Sequence, residues 1–280
     1  RLFNSSRFAS ILQKMRPPEG EAIEASILNR SIETAQKRIE QRNFSYRKHT
    51  LEYDDVMNKQ RTEVYQFRNR TIHSEDPFEV AFETLTNITH EMAHSFLETK
   101  DEPGKWNPEE FRKTLTNYFP VSIKENAYSD DYMTCENIAK DASLKVIHAF
   151  KRKLQYESRT LAAIQKASNQ EVNPVPILHN IIRSMIIKSI DSEWQKHLLH
   201  IDHLRTEVNM RTVAQKDPLM EFKHESFRLF SNFRHTINKN LAKILFSFGM
   251  MPPEDAKVRD KLAALQNQIP LNSFISLEKV

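Results

Sequence analysis

Between Glu21 and Asp76 the chain contains neither proline nor glycine, and its apolar residues recur at helical spacing. Leu28, Ile32, Ala35, Ile39, Tyr46, Tyr53, Met57, Val64 and Phe67 are three, four or seven positions apart, which puts them on one face of a helix. A helix of about 40 residues is about 60 Å long, longer than most compact domains are wide. Such a helix serves as a spine, because its apolar stripe outruns what one small body can cover.

The 280 residues hold only three glycines, Gly20, Gly104 and Gly249. Glycine normally supplies about 7% of a domain, since tight turns and close backbone approaches need it. This scarcity predicts an all-α chain. It also excludes a phosphate-cradling glycine loop, and with it any nucleotide-binding domain within these residues.

Proline and glycine divide the rest. A short helix up to Met15 ends at Pro17-Pro18-Glu19-Gly20. Asp76-Pro77 restarts a helix that runs to about Thr99, and Asn107-Pro108 starts another with Asn107 as N-cap. Residues 130–168 form a further unbroken helical stretch. After Asn173-Pro174-Val175-Pro176, the residues Ile190, Trp194, His197, Ile201, Leu204 and Val208 step by four, three, four, three and four. Asp217-Pro218 opens a second stripe, Phe222, Ser226, Phe230, Phe233, Ile237, Leu241, Ile244 and Phe248, which Gly249 ends. Two facing stripes joined by a short loop predict an antiparallel hairpin. The expected organisation is therefore 1–20 as a linker, 21–76 as the long helix, 77–170 as an inserted helical lobe, 171–249 as the hairpin, and 250–280 as a loosely ordered tail with a short helix near 254–266.

Several function classes find little support. The net charge of +4, with a pI near 9.0, is a weak footprint for nucleic acid or anionic lipid. Arg38, Arg42, Arg47, Lys48, Lys59 and Arg61 are interleaved with Glu33, Glu40, Glu52, Asp54, Asp55 and Glu63, a mixed face suited to other domains rather than to a phosphate track. A single cysteine, Cys135, forbids an internal disulfide or a cysteine-rich zinc site and fits a reducing compartment. No run of 18 apolar residues exists; the longest apolar cluster, Ile177 to Ile190, is broken by polar residues. The chain opens at Arg1 without an initiator Met, which reads as a fragment.

One catalytic motif is present. His90-Glu91-Met92-Ala93-His94 is H-E-x-x-H on a predicted helix, where two His at i and i+4 could hold zinc and the Glu could act as base. A zinc peptidase also needs a third ligand, an edge strand and a cleft, and nothing marks these out. His197, His200 and His203 read as solvated hairpin surface. Asp54 and Asp55 are adjacent, so they point in different directions and do not form an acid/base pair. No metal is expected. A helical scaffold or nucleic-acid-binding adaptor and, behind it, the zinc peptidase stand as alternatives to the reading that follows.

Arg42 to Arg61 reads R-N-F-x-x-R-K-x-x-L-E-Y-D-D-V-M-N-x-Q-R, and the surrounding stretch from Ala35 resembles the scaffold helix of the SecA family, the bacterial preprotein translocase ATPases. Far along the chain, Asp191-Ser-Glu-Trp-Gln-Lys-His-Leu198, Asp202-His-Leu-Arg205, Arg211, Ala214-Gln-Lys-Asp-Pro218 and Glu221 to Phe227 resemble the family's two-helix finger. Pro18 to Glu24 also matches the lead-in to the scaffold. The resemblance covers about residues 1–248, and residues 77–168 match weakly, in the position of the family's helical wing. It implies a long scaffold helix, an inserted wing and a finger hairpin, preceded in the family by two motor domains and a preprotein-crosslinking domain. ATP and Mg belong to those domains, so this segment is expected to be inactive alone, with no catalytic residue and no cofactor.

By the same resemblance, Arg42, Asn43, Phe44, Arg47 and Lys48 contact the motor domains. Met210, Arg211, Thr212, Val213, Gln215 and Lys216 form the finger loop that meets the SecYEG channel and the preprotein, and Trp194 anchors the hairpin against the scaffold. Acidic membrane lipid is a further expected partner, a homodimer is allowed, and nucleic acid is not expected. The expected location is the cytoplasm and the cytoplasmic face of the bacterial inner membrane. The segment is expected to restrain the ATPase until channel and substrate engage. This sequence departs from the family in three places. Val213 stands where a fingertip aromatic is common, Glu207 and Asn209 replace glycines before the tip, and the family's C-terminal zinc tail is absent.

Overall fold

A computed structural model describes residues 26–98, 104–130, 132–167, 173–211, 217–250, 256–271 and 273–276. Among them are seven helices: α1 Ser26–His73, α2 Pro77–Phe96, α3 Pro108–Tyr118, α4 Cys135–Ala167, α5 Val175–Arg211, α6 Pro218–Ser247 and α7 Ala256–Asn267. The fold is all-α. The short helix expected before Pro17 lies outside the described residues.

The helix starts follow local chemistry. Asp76, Asn107 and Asp217 each precede a proline, and their side chains accept the N–H of Phe78 (2.8 Å), Glu110 (3.1 Å) and Leu219 (3.0 Å). Each cap satisfies a donor that the helix leaves orphaned, and is worth about 1 kcal/mol. The exit of α6 differs from expectation. It stops at Ser247, two residues before Gly249, with Phe248 as an extended C-cap (φ −64°, ψ 146°). The Met250 N–H then donates to a Glu157 carboxylate oxygen of α4 at 3.0 Å. A tertiary bond, not a left-handed glycine, steers the chain out of the helix.

One apolar core runs without a break from α2–α4 into α5 and α6, joining Phe78, Leu85, Phe111, Phe150 and Leu154 to Ile182, Ile186, Trp194, Phe233 and Leu245. A smaller, separate cluster lies further along the hairpin, where Ile201, Leu204, Val208 and Phe222 pack with Tyr53, Val56 and Leu229. Gln266 and Ile275, among the described residues of the tail, are docked on α4. Arg159 Nη2 donates to the Gln266 carbonyl at 2.7 Å, Gln155 Nε2 donates to the Ile275 carbonyl at 2.8 Å, and Ile275 packs against the main core. Two donors one turn apart on α4 thus capture backbone carbonyls of a segment whose sequence gave little sign of docking.

Candidate functional site: the scaffold helix and the hairpin

α1 is 48 residues long, and its surroundings change along its length. Every residue from 36 to 51 is exposed. Arg42, Asn43, Phe44, Arg47 and Lys48 all lie in this stretch, where Phe44 is 62% exposed, Tyr46 67% and Leu51 67%. Its ion pairs are internal to the helix, Lys48–Glu52 at 3.9 Å and His49–Glu52 at 3.7 Å. A helix that presents aromatic and aliphatic side chains beside fixed cations has the composition of a surface built to be covered.

The second half of α1 is gripped by the hairpin. Tyr53 packs on Phe222 with ring centroids 4.7 Å apart, and the Arg205 guanidinium lies 5.6 Å from the Tyr53 ring centre. Burial raises the Tyr53 phenol pKa, the Asp217 carboxylate raises it further, and Arg205 opposes. Arg68 donates to both oxygens of Asp191, at 2.8 and 3.2 Å, and Arg234 pairs with Glu63 at 3.3 Å.

Between these contacts is a buried polar junction. His197 Nε2 lies 2.8 Å from Gln60 Oε1, and Gln60 Nε2 donates to the Ser226 carbonyl at 3.2 Å. One side-chain amide of α1 therefore touches both hairpin helices. The Ser226 carbonyl can only accept, which turns the amide nitrogen towards it and the amide oxygen towards the imidazole, so His197 donates from Nε2. The imidazole is enclosed by aromatic rings: Trp194 stacked at 5.4 Å, Phe233 at 4.9 Å and Phe230 at 5.6 Å. Burial first, and His200 second, lower its pKa to about 4, so it is neutral at pH 7.

This corrects one expectation. His200 and His203 are solvated, but His197 is only 3% exposed. Its place in the Trp194–His197–Ile201 stripe outweighs its polarity, because the ring stacks and its donor has a partner. Trp194 is buried too, and its ring contacts, with His197 and Phe233 (5.7 Å), lie within the hairpin. The polar tie to α1 is made one turn further on. Met210 and Arg211 belong to the last turn of α5, whereas Thr212, Val213, Gln215 and Lys216 lie outside the described residues.

The H-E-x-x-H residues sit on α2 beside a groove of about 1170 Å³ between α1, α2, α3 and α6. Glu91 is engaged by the hairpin. Its oxygens meet His235 Nδ1 and Asn238 Nδ2 of α6, both at 3.3 Å, while His94 Nδ1 lies 3.5 Å from Cys135 Sγ. Among the described residues no three His, Cys, Asp or Glu converge to hold a metal ion. Glu91 instead clasps the lobe to the hairpin, together with Tyr118, whose hydroxyl donates to the Lys239 carbonyl at 2.9 Å. None of the described helices is long and apolar enough to cross a membrane.

Sequence reasoning missed Gln60 altogether. Its signal was present: a polar residue between Met57 and Val64 on an otherwise apolar face of a helix. The clasp residues Glu91, His235 and Asn238 carried no such signal, since each sits on a polar face.

A family model described as the SecA Wing and Scaffold domain matches residues 22–249. The protein translocase subunit SecA of Chlamydia pneumoniae is 37% identical over 260 residues, covering 93% of this chain and 26% of that protein. The subunit of Chlamydia caviae is 41% identical over 246 residues, covering 88% and 25%. That of Chlamydia trachomatis serovar D is 41% identical over 248 residues, with the same coverage of 88% and 25%. The chain thus spans about a quarter of the length of these relatives. A match over most of its own length, on a long helix gripped by a hairpin to which a helical lobe is clasped, settles its kinship: the chain belongs to the SecA wing and scaffold family.

Proposed function

We propose that this chain is the coupling segment of a protein-translocating ATPase, passing movement of the motor domains to a polypeptide in transit. The division of α1 carries this reading. One half offers Arg42, Asn43, Phe44, Arg47 and Lys48 to solvent, and the other half is locked to the hairpin through Gln60, Arg68 and Glu63. A continuous helix is stiff along its axis, so a displacement applied to the free half reaches the hairpin without being absorbed between them.

In this reading the motor domains bind ATP and Mg, and this segment contributes no phosphate loop and no catalytic group. The hairpin loop, Met210, Arg211, Thr212, Val213, Gln215 and Lys216, meets the SecYEG channel and the preprotein. Val213 at the tip favours a blunt apolar push over aromatic stacking. The finger region restrains ATP turnover until channel and substrate engage, and contact of the free half with the motor carries that restraint. The protein works at the cytoplasmic face of the bacterial inner membrane, held there by the channel and acidic lipid. The names of the relatives, each a protein translocase subunit, support this assignment.

Site-specific crosslinking from position 213 in the full-length protein tests it. A photoreactive residue there is expected to label SecY and a stalled preprotein. Labelling of neither, with ATP turnover intact, would refute the mechanism.

A further inference from the structure

The hairpin is held along α1 by two apolar clusters with a polar junction at their border. The main core ends with Trp194, Phe230 and Phe233, and the second cluster begins at Ile201 and Phe222. Met57 packs against both. Gln60, one turn after Met57, supplies the amide that reaches His197 on α5 and the Ser226 carbonyl on α6.

Apolar seams between helices tolerate sliding and rotation, because one contact of similar size replaces another. A buried polar group does not, since any other register leaves its hydrogen-bonding atoms unpaired, and a single polar residue in a helical seam is the best-attested way to fix register. Gln60 is 6% exposed, and Ser226 and His197 are 0% and 3% exposed, so water is not there to replace a lost bond. Two further polar ties between α1 and the hairpin among the described residues, Arg68–Asp191 and Arg234–Glu63, each use a long arginine side chain near the surface that can follow a small shift.

We propose that Gln60 is the positioning residue that fixes the rotation and height of the hairpin on the scaffold helix. The outer half of the hairpin takes its position relative to the continuous α1 helix from this point. This deepens the coupling reading above by naming where the scaffold's movement enters the finger, and it rests on that reading only for its functional meaning.

The experiment uses the full-length protein with its native cysteines, Cys135 included, replaced by serine, and spin labels at exposed positions. One pair, Asn69 and Lys223, spans the junction from the main-core side of α1 to the outer part of α6. A control pair, Asn69 and Lys239, stays on the main-core side. Gln60→Met keeps volume and apolar contacts and removes both hydrogen bonds. The distance distribution of the spanning pair is expected to broaden about twofold while the control pair keeps its width, because the buried bonds that hold the register are gone. Unchanged width in the spanning pair overturns the proposal. Equal broadening of both pairs also overturns it, since Gln60 would then merely support the fold.

If Gln60→Met lowers the melting temperature by more than about 10 °C, the double variant Gln60→Met/His197→Phe removes both partners and refills the space, and the same two widths decide. These distances need neither ATP nor preprotein. Preprotein moved per ATP is then measured on the same variant. A several-fold loss at unchanged basal ATP turnover joins the junction to coupling. Broadened distances with unchanged transport per ATP would leave the positioning role in place and sink the coupling reading.

Discussion

The two halves of α1 are built from similar residues and live in opposite surroundings. From residue 36 to 51 every side chain is exposed, including Ile39, Phe44, Tyr46 and Leu51. From Tyr53 onward the same apolar spacing is covered: Tyr53 lies on Phe222, Val64 enters the main core, and Gln60 and Thr71 are buried. An isolated helix of this composition is marginal in water, because most helical stability in proteins comes from packing one face. The covered half therefore anchors the helix, and the stretch from residue 36 to 51 carries its stripe uncovered among the described residues. Periodicity reveals that a helix exists, whereas only the partner determines which stretch of its stripe is structural and which is offered.

The widest separation between the halves is expected from buried charge. Val64 is 6% exposed inside the main core, so Val64→Asp should destabilise the chain by more than about 3 kcal/mol, through a carboxylate that has no partner. Tyr46→Asp, on a residue 67% exposed, should change stability by less than about 0.5 kcal/mol. Denaturant melts of the two variants compare them directly, and similar losses would erase the distinction.

Next in size is a pH effect confined to the gripped half. His197 has its pKa lowered from 6.5 to about 4, first by burial and then by His200. Between these values the unfolded chain binds a proton that the folded chain refuses, so stability rises with pH across this window. The contribution is complete above pH 6.5, is lost as pH falls from 6.5 to 4, and amounts to about 3 kcal/mol. Other groups also titrate there, so the informative quantity is the difference from His197→Phe, which should lack this slope. Equal slopes in the two proteins would show that the imidazole is not held neutral.

How much of this was readable beforehand depended on the range of the physics involved. The caps at Asp76, Asn107 and Asp217 were legible because the donor and acceptor are two or three residues apart. The long helix and the hairpin were legible because 3.6-residue periodicity is local. His197 was misread because its residue type suggested solvent while its stripe pointed to the core, and aromatic packing decided. The clasp from Glu91 to His235 and Asn238 joins residues 144 and 147 positions apart, and the docking of the tail carbonyls on Gln155 and Arg159 spans 120 and 107. Such contacts arise only once the core has set the helices side by side, and no local pattern announces them. The loop contacts expected at Met210, Arg211, Thr212, Val213, Gln215 and Lys216 rest on resemblance alone, and from Thr212 onward they lie outside the described residues.

A smaller effect tests the tip of the gripped half. Asp217 caps α6 and also faces Tyr53, so Asp217→Ala should cost about 1 kcal/mol and speed hydrogen exchange in the first turn of α6. It should also let the Tyr53 phenol ionise at lower pH, since one of the two causes that raise its pKa is removed, burial being the other. Faster exchange without the phenol shift would mean that the cap and the tyrosine do not share this carboxylate.

The smallest expected change in the chain itself is the one that best defines the free half. Phe44 is 62% exposed, and among the described residues no ring or cation is stacked against it. Phe44→Ser should therefore leave the stability of this chain within about 0.5 kcal/mol of the parent. The same substitution in the full-length protein should raise basal ATP turnover several-fold, because an aromatic anchor at the centre of a domain contact typically carries about 2 kcal/mol or more. The two measurements have to disagree for the coupling reading to hold. If Phe44→Ser destabilises the chain alone, the exposed half is already engaged by its own segment. If it alters neither stability nor turnover, the exposed stripe of α1 is solvated surface, and the motor must reach the hairpin by another route.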